Sequence, residues 1–154
     1  MNNILLAFLL LIPFLSMGQE DAFGPQRKDD LIVVTTDTVD SQALSKIMKS
    51  LIEMGFTIKT KDADTGMVTT NSYDYKKGKM VLNVISALNE IKIYGDYEAN
   101  LALVSGANKP DALKDRINFE GNKGSAVKEA WNIMDAFANQ LTHVMPGTVS
   151  YAKR

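Results

Sequence analysis

The sequence predicts an α+β fold of two layers, in which an antiparallel sheet carries two helices packed on one face. Two amphipathic stretches predict the helices, because each repeats apolar residues at helical spacing. Between them lie short runs in which apolar and polar residues alternate, as in half-buried strands. The predicted order is one strand, one helix, four to six strands and a long final helix, β-α-β(4-6)-α. Two helices laid across one sheet face bury all of these apolar surfaces together.

The N-terminal segment, residues 1–18, is predicted to be a signal peptide. Ile4–Leu15 is almost entirely apolar, and Ser16 and Gly18 are the small residues that precede a cleavage site. The run is shorter than the roughly 20 residues that span a bilayer. We therefore expect cleavage before Gln19 and no stable membrane span afterwards. An uncleaved anchor is the alternative, since no Lys or Arg precedes the apolar run.

Composition and charge narrow the possible functions. The chain has 154 residues and no cysteine, which rules out disulfides and a lipid-modified cysteine anchor. Its 17 basic and 18 acidic residues nearly balance. This charge offers no field to attract nucleic acid, so no nucleic-acid partner is expected. One domain over 31–151 is predicted, preceded by a flexible polar leader over 19–30.

The first strand and the first helix have strong local signals. Leu31–Thr36 is rich in β-branched residues and predicts a buried strand. Asp40 is predicted to cap the helix that follows, because its carboxylate accepts hydrogen bonds from free backbone amides. The helix is predicted to end at Gly55, since glycine enters the left-handed conformation without steric cost. Phe56 would then close back on Leu51.

Four strands are predicted next, joined by short turns that indicate an antiparallel meander. The predicted strands are 56–61, 67–75, 80–84 and 91–97. The predicted turns between them are 62–66, 76–78 and 89–90.

The region after the meander offers weaker signals. Leu101–Val104 and Ile117–Phe119 are candidates for two more short strands. The loop 105–116 separates them, and 111–116 is a candidate for one helical turn. This loop is long, irregular and mixed in charge, so it is the expected contact surface of the domain.

A long final helix is predicted from Ser125, its N-cap, to Pro146-Gly147, which ends it. Its apolar stripe comprises Val127, Ala130, Trp131, Met134, Phe137, Ala138, Leu141 and Met145.

By this order of elements, residues 31–151 resemble the TATA-binding-protein-like and helix-grip class of folds, which includes small exported bacterial domains. With both candidate strands included, the order also resembles the birch-allergen-like helix-grip fold. That resemblance implies an apolar ligand held between the sheet and the long helix. Neither resemblance carries a functional residue over to this chain.

Tyr94, Tyr97, Trp131 and Met134 are the candidate ligand-binding residues. They put aromatic and flexible apolar side chains on the last strand of the meander and on the final helix. Such side chains can line an apolar cavity. The alternative interpretation is that they are ordinary core residues.

The tripeptide Asp64-Thr65-Gly66 resembles the active-site motif of aspartic proteases, in which two buried carboxylates share a proton. The preceding residues, Lys59–Ala63, are polar, so the motif is interpreted as a hairpin turn. Asp62 and Asp64 also match the start of a calcium loop, but the later ligand positions do not fit.

Two further patterns are interpreted as structural. Ser125 and Lys128 have the S-x-x-K spacing of penicillin-recognising enzymes, but the companion motifs are absent from the sequence. His143, the single histidine, is predicted to face solvent and has no cysteine with which to form a zinc site. The sequence therefore predicts no catalytic residue, no metal ligand and no cofactor.

The leading prediction is a non-enzymatic exported domain, periplasmic or secreted, that acts as an interaction or structural module of a cell envelope. The alternative is a helix-grip carrier of a small apolar ligand, and an aspartic-type hydrolase comes third. The expected partner is accordingly an envelope protein or a small apolar ligand. The oligomeric state stays open, because an open sheet edge leaves pairing possible.

Overall fold

The structure is a computed structural model that describes residues 24–37, 42–99, 114–120 and 123–154. The predicted signal peptide, the candidate strand 101–104 and residues 105–113 of the loop expected to be the contact surface lie outside these residues. The described elements, in chain order, are β1 (Leu31–Thr36), α1 (Ala43–Glu53), β2 (Ile58–Asp62), β3 (Met67–Thr70), β4 (Tyr73–Tyr75), β5 (Gly78–Ala87), β6 (Glu90–Ala99), β7 (Lys114–Arg116), α2 (Ala126–Val144) and β8 (Gly147–Ala152).

All of these strands pair in one open antiparallel sheet, with the order β2-β3-β5-β6-β1-β8. The short strands β4 and β7 pair with β5 and β6 respectively. Both helices pack on one face of the sheet, which confirms the predicted α+β class. The sheet also gains β8 after the final helix, where no strand was predicted. Neither described helix is long and apolar enough to cross a membrane.

The core lies between the helices and the inner face of the sheet. Val34 opposite Ile91 and Val84 opposite Ile93 show how the register brings buried residues of neighbouring strands together. The largest fully buried side chains come from both layers, and they are Trp131, Phe56, Phe137, Ile32, Ile47, Leu51, Met80, Leu82, Ile91, Ile93, Ile117 and Met134.

The C-terminal end of α1 is the one that the sequence predicted. Gly55 has φ +89°, and its N–H donates to the carbonyl of Ile52 at 2.9 Å. The N–H of Phe56 donates to the carbonyl of Leu51 at 3.0 Å. These two bonds form a Schellman motif and satisfy carbonyls that the helix leaves free.

The N-terminal end of α1 differs from the prediction. The helix begins at Ala43, and Gln42 occupies the N-cap position without a side-chain capping bond. Asp40, the predicted cap, lies outside the described residues.

The predicted strand 67–75 is wrong as a single element, because the chain forms β3 and β4 with a register shift between them. Thr69 lies opposite Asn83, whereas Tyr73 lies opposite Met80. One extra residue is therefore accommodated between the two strands, as in a β-bulge. The shift turns Tyr73 and Tyr75 towards the core, although the alternation of β3 would have pointed them away.

The segment before α2 also corrects the prediction. Lys114–Arg116 is a short strand rather than part of a loop or a helical turn, and Ile117–Phe119 is not a strand. The backbone of Ile117–Phe119 is still bonded, since the N–H of Ile117 donates to Gly95 and that of Phe119 donates to Asp29. These single bonds do not form a ladder, which explains the difference.

The described end of the predicted leader, from Gly24 onwards, belongs to the folded domain. Asp29 and Asp30 are buried, and the N–H of Asp30 donates to the carbonyl of Ala152 at 3.0 Å. The domain therefore begins before Leu31, because these polar residues are held by contacts with distant parts of the chain.

Candidate functional site

The structure brings together three of the four candidate ligand-binding residues. Trp131 and Met134 are fully buried on α2, and Tyr97 is buried on the inner face of β6. The Trp131 ring packs against Phe119 at 5.6 Å and against Tyr151 at 6.0 Å between centroids. These rings fill the space beside the indole, so the three candidates lie within the hydrophobic core.

Tyr94 lies on the opposite face of the sheet from the other three candidates. Its neighbours in β6, Ile93 and Gly95, point inward, and successive strand residues alternate between faces. The guanidinium of Arg154 lies 4.2 Å from the centroid of the Tyr94 ring, a cation–π contact that holds the C-terminal end of the chain on the sheet. Tyr94 therefore cannot share a cavity with Trp131.

Neither of two open depressions in the described surface is lined by Trp131 or Met134. One, of about 270 Å³, lies at the junction of α1 with the end of α2 and is lined by Lys46, Lys49, Ser50, Glu53 and Val144. The other, of about 290 Å³, is lined by Lys59, Ser72, Lys79, Met80, Val81, Asp96, Tyr97, Glu98 and Lys114. Four of these nine residues, Lys79, Val81, Asp96 and Glu98, alternate in β5 and β6 with the inward-facing Met80 and Tyr97, so this part of the lining lies on the outer side of the sheet.

The second depression has a mixed electrostatic character. Its lining combines three basic residues, Lys59, Lys79 and Lys114, with two acidic residues, Asp96 and Glu98. Such a lining has no dominant charge with which to select a small anion or cation. Burial raises the pKa of the Tyr97 hydroxyl, and the nearby carboxylates of Asp115 and Glu120 raise it further.

The tripeptide Asp64-Thr65-Gly66 forms an exposed turn. The Asp62 carboxylate accepts hydrogen bonds from the N–H groups of Asp64 at 2.9 Å and Thr65 at 3.3 Å, and bonds from Thr65 lower the pKa of Asp62. Gly66 has φ +67°, and its carbonyl accepts the N–H of Ser86. The Asp64 carboxylate is exposed, so the turn lacks the buried, coupled aspartates of a protease site.

The remaining polar candidates also have structural surroundings. Ser125 Oγ accepts the N–H of Lys128 at 3.2 Å, which confirms Ser125 as the N-cap of α2. The Lys128 amine lies 3.6 Å from the centroid of the Phe119 ring, in a cation–π contact. His143 is exposed, as predicted. Within the described residues, no group of three or more His, Cys, Asp or Glu side chains could hold a metal ion.

The outer face of the sheet carries an apolar surface that sequence reasoning did not single out. Its residues are all half-buried and come from four adjacent strands, β3, β5, β6 and β1. We call them the outer patch, which consists of Leu31, Val33, Met67, Val81, Ile85 and Tyr94. Lys92 and Asn83 lie among them. The sequence signal that could have revealed this surface is the uninterrupted apolar run at the start of β1, because such a run places apolar side chains on both faces of the sheet.

A cluster of charged groups borders the outer patch. The carboxylate of Asp30 is largely buried, and its Oδ2 lies 3.4 Å from Arg154 Nε and 3.5 Å from Arg116 Nη1. The same carboxylate accepts the backbone N–H of Arg154 at 2.7 Å. Because these residues come from the position before β1, from β7 and from the segment after β8, the cluster links three separate parts of the chain at one side of the outer face.

No protein-family model matches this sequence, and no curated protein is recognisably similar to it. The resemblance to the helix-grip class, which rests on the order of elements, stays a prediction.

Proposed function

We propose that this chain is an exported, non-enzymatic domain that binds a partner protein of the cell envelope through the outer patch. The observation that carries the proposal is the half-exposure of apolar side chains from four adjacent strands, while both described helices cover the other face. Apolar surface of this kind gains free energy when a partner removes it from water.

The packing of the interior supports a binding surface over a carrier. A carrier of an apolar ligand needs a cavity between sheet and helix. Trp131 and Met134, which would line it, are instead packed against neighbouring side chains. The outer patch, by contrast, is an apolar surface that remains accessible to a partner.

Export is supported by the apolar run Ile4–Leu15 followed by small residues. The test is the mass of the protein recovered from an expressing cell. Processing after Gly18 predicts a chain that starts at Gln19 and is recovered outside the cytoplasm. An intact N-terminus on protein that stays in the cytoplasm would contradict export.

The partner is tested with a photo-reactive residue at Lys92, which is exposed among the residues of the outer patch. The matched probe is placed at Asn132, which is exposed on α2. We expect Lys92 to yield a specific cross-linked envelope protein and Asn132 not to. Ile85→Lys should abolish that product, because a charge would then have to be buried in the interface. Asn132→Lys, the same added charge on the helix, should leave it unchanged.

Two results would contradict this proposal. One is cross-linking at Lys92 that Ile85→Lys does not reduce while the variant remains folded. The other comes from native mass spectrometry of the processed protein. A mass excess that disappears on denaturation would reveal a bound small molecule and favour the carrier.

A further inference from the structure

The two edges of the sheet differ in their protection against pairing. The β2 edge carries Lys59, Lys61 and Asp62, and its register with β3 shifts between Ile58 and Thr60. Charged side chains and register shifts of this kind prevent an edge strand from pairing with another chain. The short strand β7 is likewise charged at each of its three positions.

The β8 edge has none of these protections. Gly147–Ala152 contains no charged residue and no proline. It pairs with β1 through six consecutive positions, from Thr36 opposite Gly147 to Leu31 opposite Ala152, without a register shift. Among the described residues, no element pairs with its other side. β8 is therefore a regular strand edge that is ready to accept another strand.

The backbone groups that face this open edge follow from the hydrogen-bond pattern of β1. The N–H of Thr36 donates to the carbonyl of Asn89 at 2.8 Å, so the backbone polar groups of Thr36 point towards β6. Successive residues of a strand point these groups to opposite sides, so Thr35, Val33 and Leu31 direct theirs to β8. Val33 is one of these, and its partner Ser150 therefore bonds towards β1. Val149 and Tyr151, on either side of Ser150, direct their N–H and C=O groups to the open edge.

We propose that β8 pairs antiparallel with β8 of a second copy of this chain, about a two-fold axis at Ser150. Val149 of each copy then lies opposite Tyr151 of the other, and the two residues exchange both backbone hydrogen bonds. These side chains meet on the helix-bearing face, and pairs of β-branched and aromatic residues are favourable across strands. Thr148 of each copy lies opposite Ala152 of the other on the outer face. The two sheets then join into one continuous sheet, with the helices of both copies on the same side.

The charge distribution fits a second copy. No like charges oppose each other within the six residues of the strand, since it contains no charged residue. The next residue, Lys153, falls opposite Gly147 rather than opposite another lysine. A symmetric contact of this kind closes on itself after two copies.

Contacts within one copy already hold β8 in a fixed position. The Tyr151 hydroxyl donates to the Asp135 carboxylate at 2.8 Å, and Asp30 holds the backbone of Arg154. Ordering a flexible strand costs conformational entropy on association, and this strand is ordered beforehand. The inference is independent of the proposed envelope partner, because it uses the sheet edge rather than the outer patch.

The test is sedimentation velocity on the full chain, in the processed form that the cell accumulates, over a series of concentrations. We expect a monomer–dimer equilibrium. Ser150→Lys should raise the dimer dissociation constant roughly tenfold or more, because two lysines then oppose each other at the axis. Ser150→Glu should act in the same way. Mixing the two variants should restore the dimer, since Lys then lies opposite Glu.

The matched control is Thr60→Lys, which adds the same charge to an exposed position of the β2 edge. It should leave the dimer unchanged, as should Ile85→Lys in the outer patch. Circular dichroism and the urea midpoint establish that each variant is folded. The proposal is overturned if the unmodified chain stays monomeric throughout the series. It is also overturned if Ser150→Lys leaves the dimer intact, or if the mixture of variants remains monomeric.

Discussion

The hydroxyl of Tyr151 donates a hydrogen bond of 2.8 Å to the carboxylate of Asp135. This bond joins β8 to α2, two elements that follow each other in the chain and lie in different layers. β8 contains no charged residue, and this hydrogen bond is a polar contact that connects it to α2. The contact helps to fix the position of β8, and together with burial, the larger cause, it raises the pKa of Tyr151.

Replacing Tyr151 by Phe should reduce the free energy of unfolding by about 1 kcal/mol, since a half-buried bond to a charged acceptor is lost. Urea denaturation at neutral pH measures the change. Tyr94→Phe is the matched control, because it removes a hydroxyl from the outer face and should change the stability little. Equal losses in the two variants would show that the bond to Asp135 contributes nothing.

Alkaline pH should destabilise the domain through two tyrosines. Burial raises the pKa of Tyr75 and of Tyr151 to about 12, from an ordinary value of 10.0. The folded state therefore keeps both protons where the unfolded state loses them. Their contribution is fully present below pH 10 and is lost as the pH rises towards 12.

The measurement for this pH dependence compares urea midpoints at about pH 9 and about pH 11. The decrease should be smaller in the double variant Tyr75→Phe, Tyr151→Phe than in the unmodified chain. An identical decrease in both proteins would assign the effect to other groups.

Asp30→Asn should destabilise the fold by about 2 kcal/mol, because it removes the charge that holds Arg154 and Arg116. The control is Asp74→Asn, whose carboxylate is exposed and 3.7 Å from Lys79. Exposed pairs of this kind contribute little, and we expect a change below about 0.5 kcal/mol. Comparable urea midpoints for the two variants would contradict a structural role for the Asp30 cluster.

Gly66→Ala should cost about 2 kcal/mol or more, because a side chain at φ +67° is strained and its Cβ would meet the Ser86 carbonyl oxygen. Gly24→Ala is the control, since nothing lies within 4 Å of the added carbon. Asp64→Ala, in the same turn as Gly66, should leave the thermal midpoint unchanged because its carboxylate is exposed. A large loss of stability in Asp64→Ala would contradict the interpretation of this tripeptide as a turn.

Thr70→Val should cost about 1 to 3 kcal/mol, since Thr70 Oγ1 accepts the N–H of Leu82 at 3.0 Å in a buried position. Valine has a similar shape but leaves that donor without a partner. Thr60→Val, at an exposed edge position, should be nearly neutral. The two urea denaturation curves therefore separate the effect of a lost acceptor from that of a changed side-chain shape.

Sequence reasoning succeeded where the signal and the structure lie in one short segment. Gly55 ends α1 and Ser125 begins α2, because a C′ glycine and an N-cap serine act within one helical turn. It failed at Tyr94, which was grouped with Trp131 although the two lie on opposite sides of the sheet. It also did not identify the outer patch, because six separate residues become neighbours only through strand order.

The sequence by itself determined the fold class, the ends of the helices named above and the alternation that orients β6, since each depends on local conformational preference and on hydrophobic periodicity. Only the tertiary structure decided that Gly147–Ala152 is a strand, that Tyr73 and Tyr75 point inward, and that Asp30 is buried. The strand Gly147–Ala152 and the burial of Asp30 depend on hydrogen bonds or ion pairs with residues distant in the chain, and the direction of Tyr73 and Tyr75 depends on the register shift between β3 and β4. Such contacts gain their free energy only after the sheet has formed, and no local pattern encodes them.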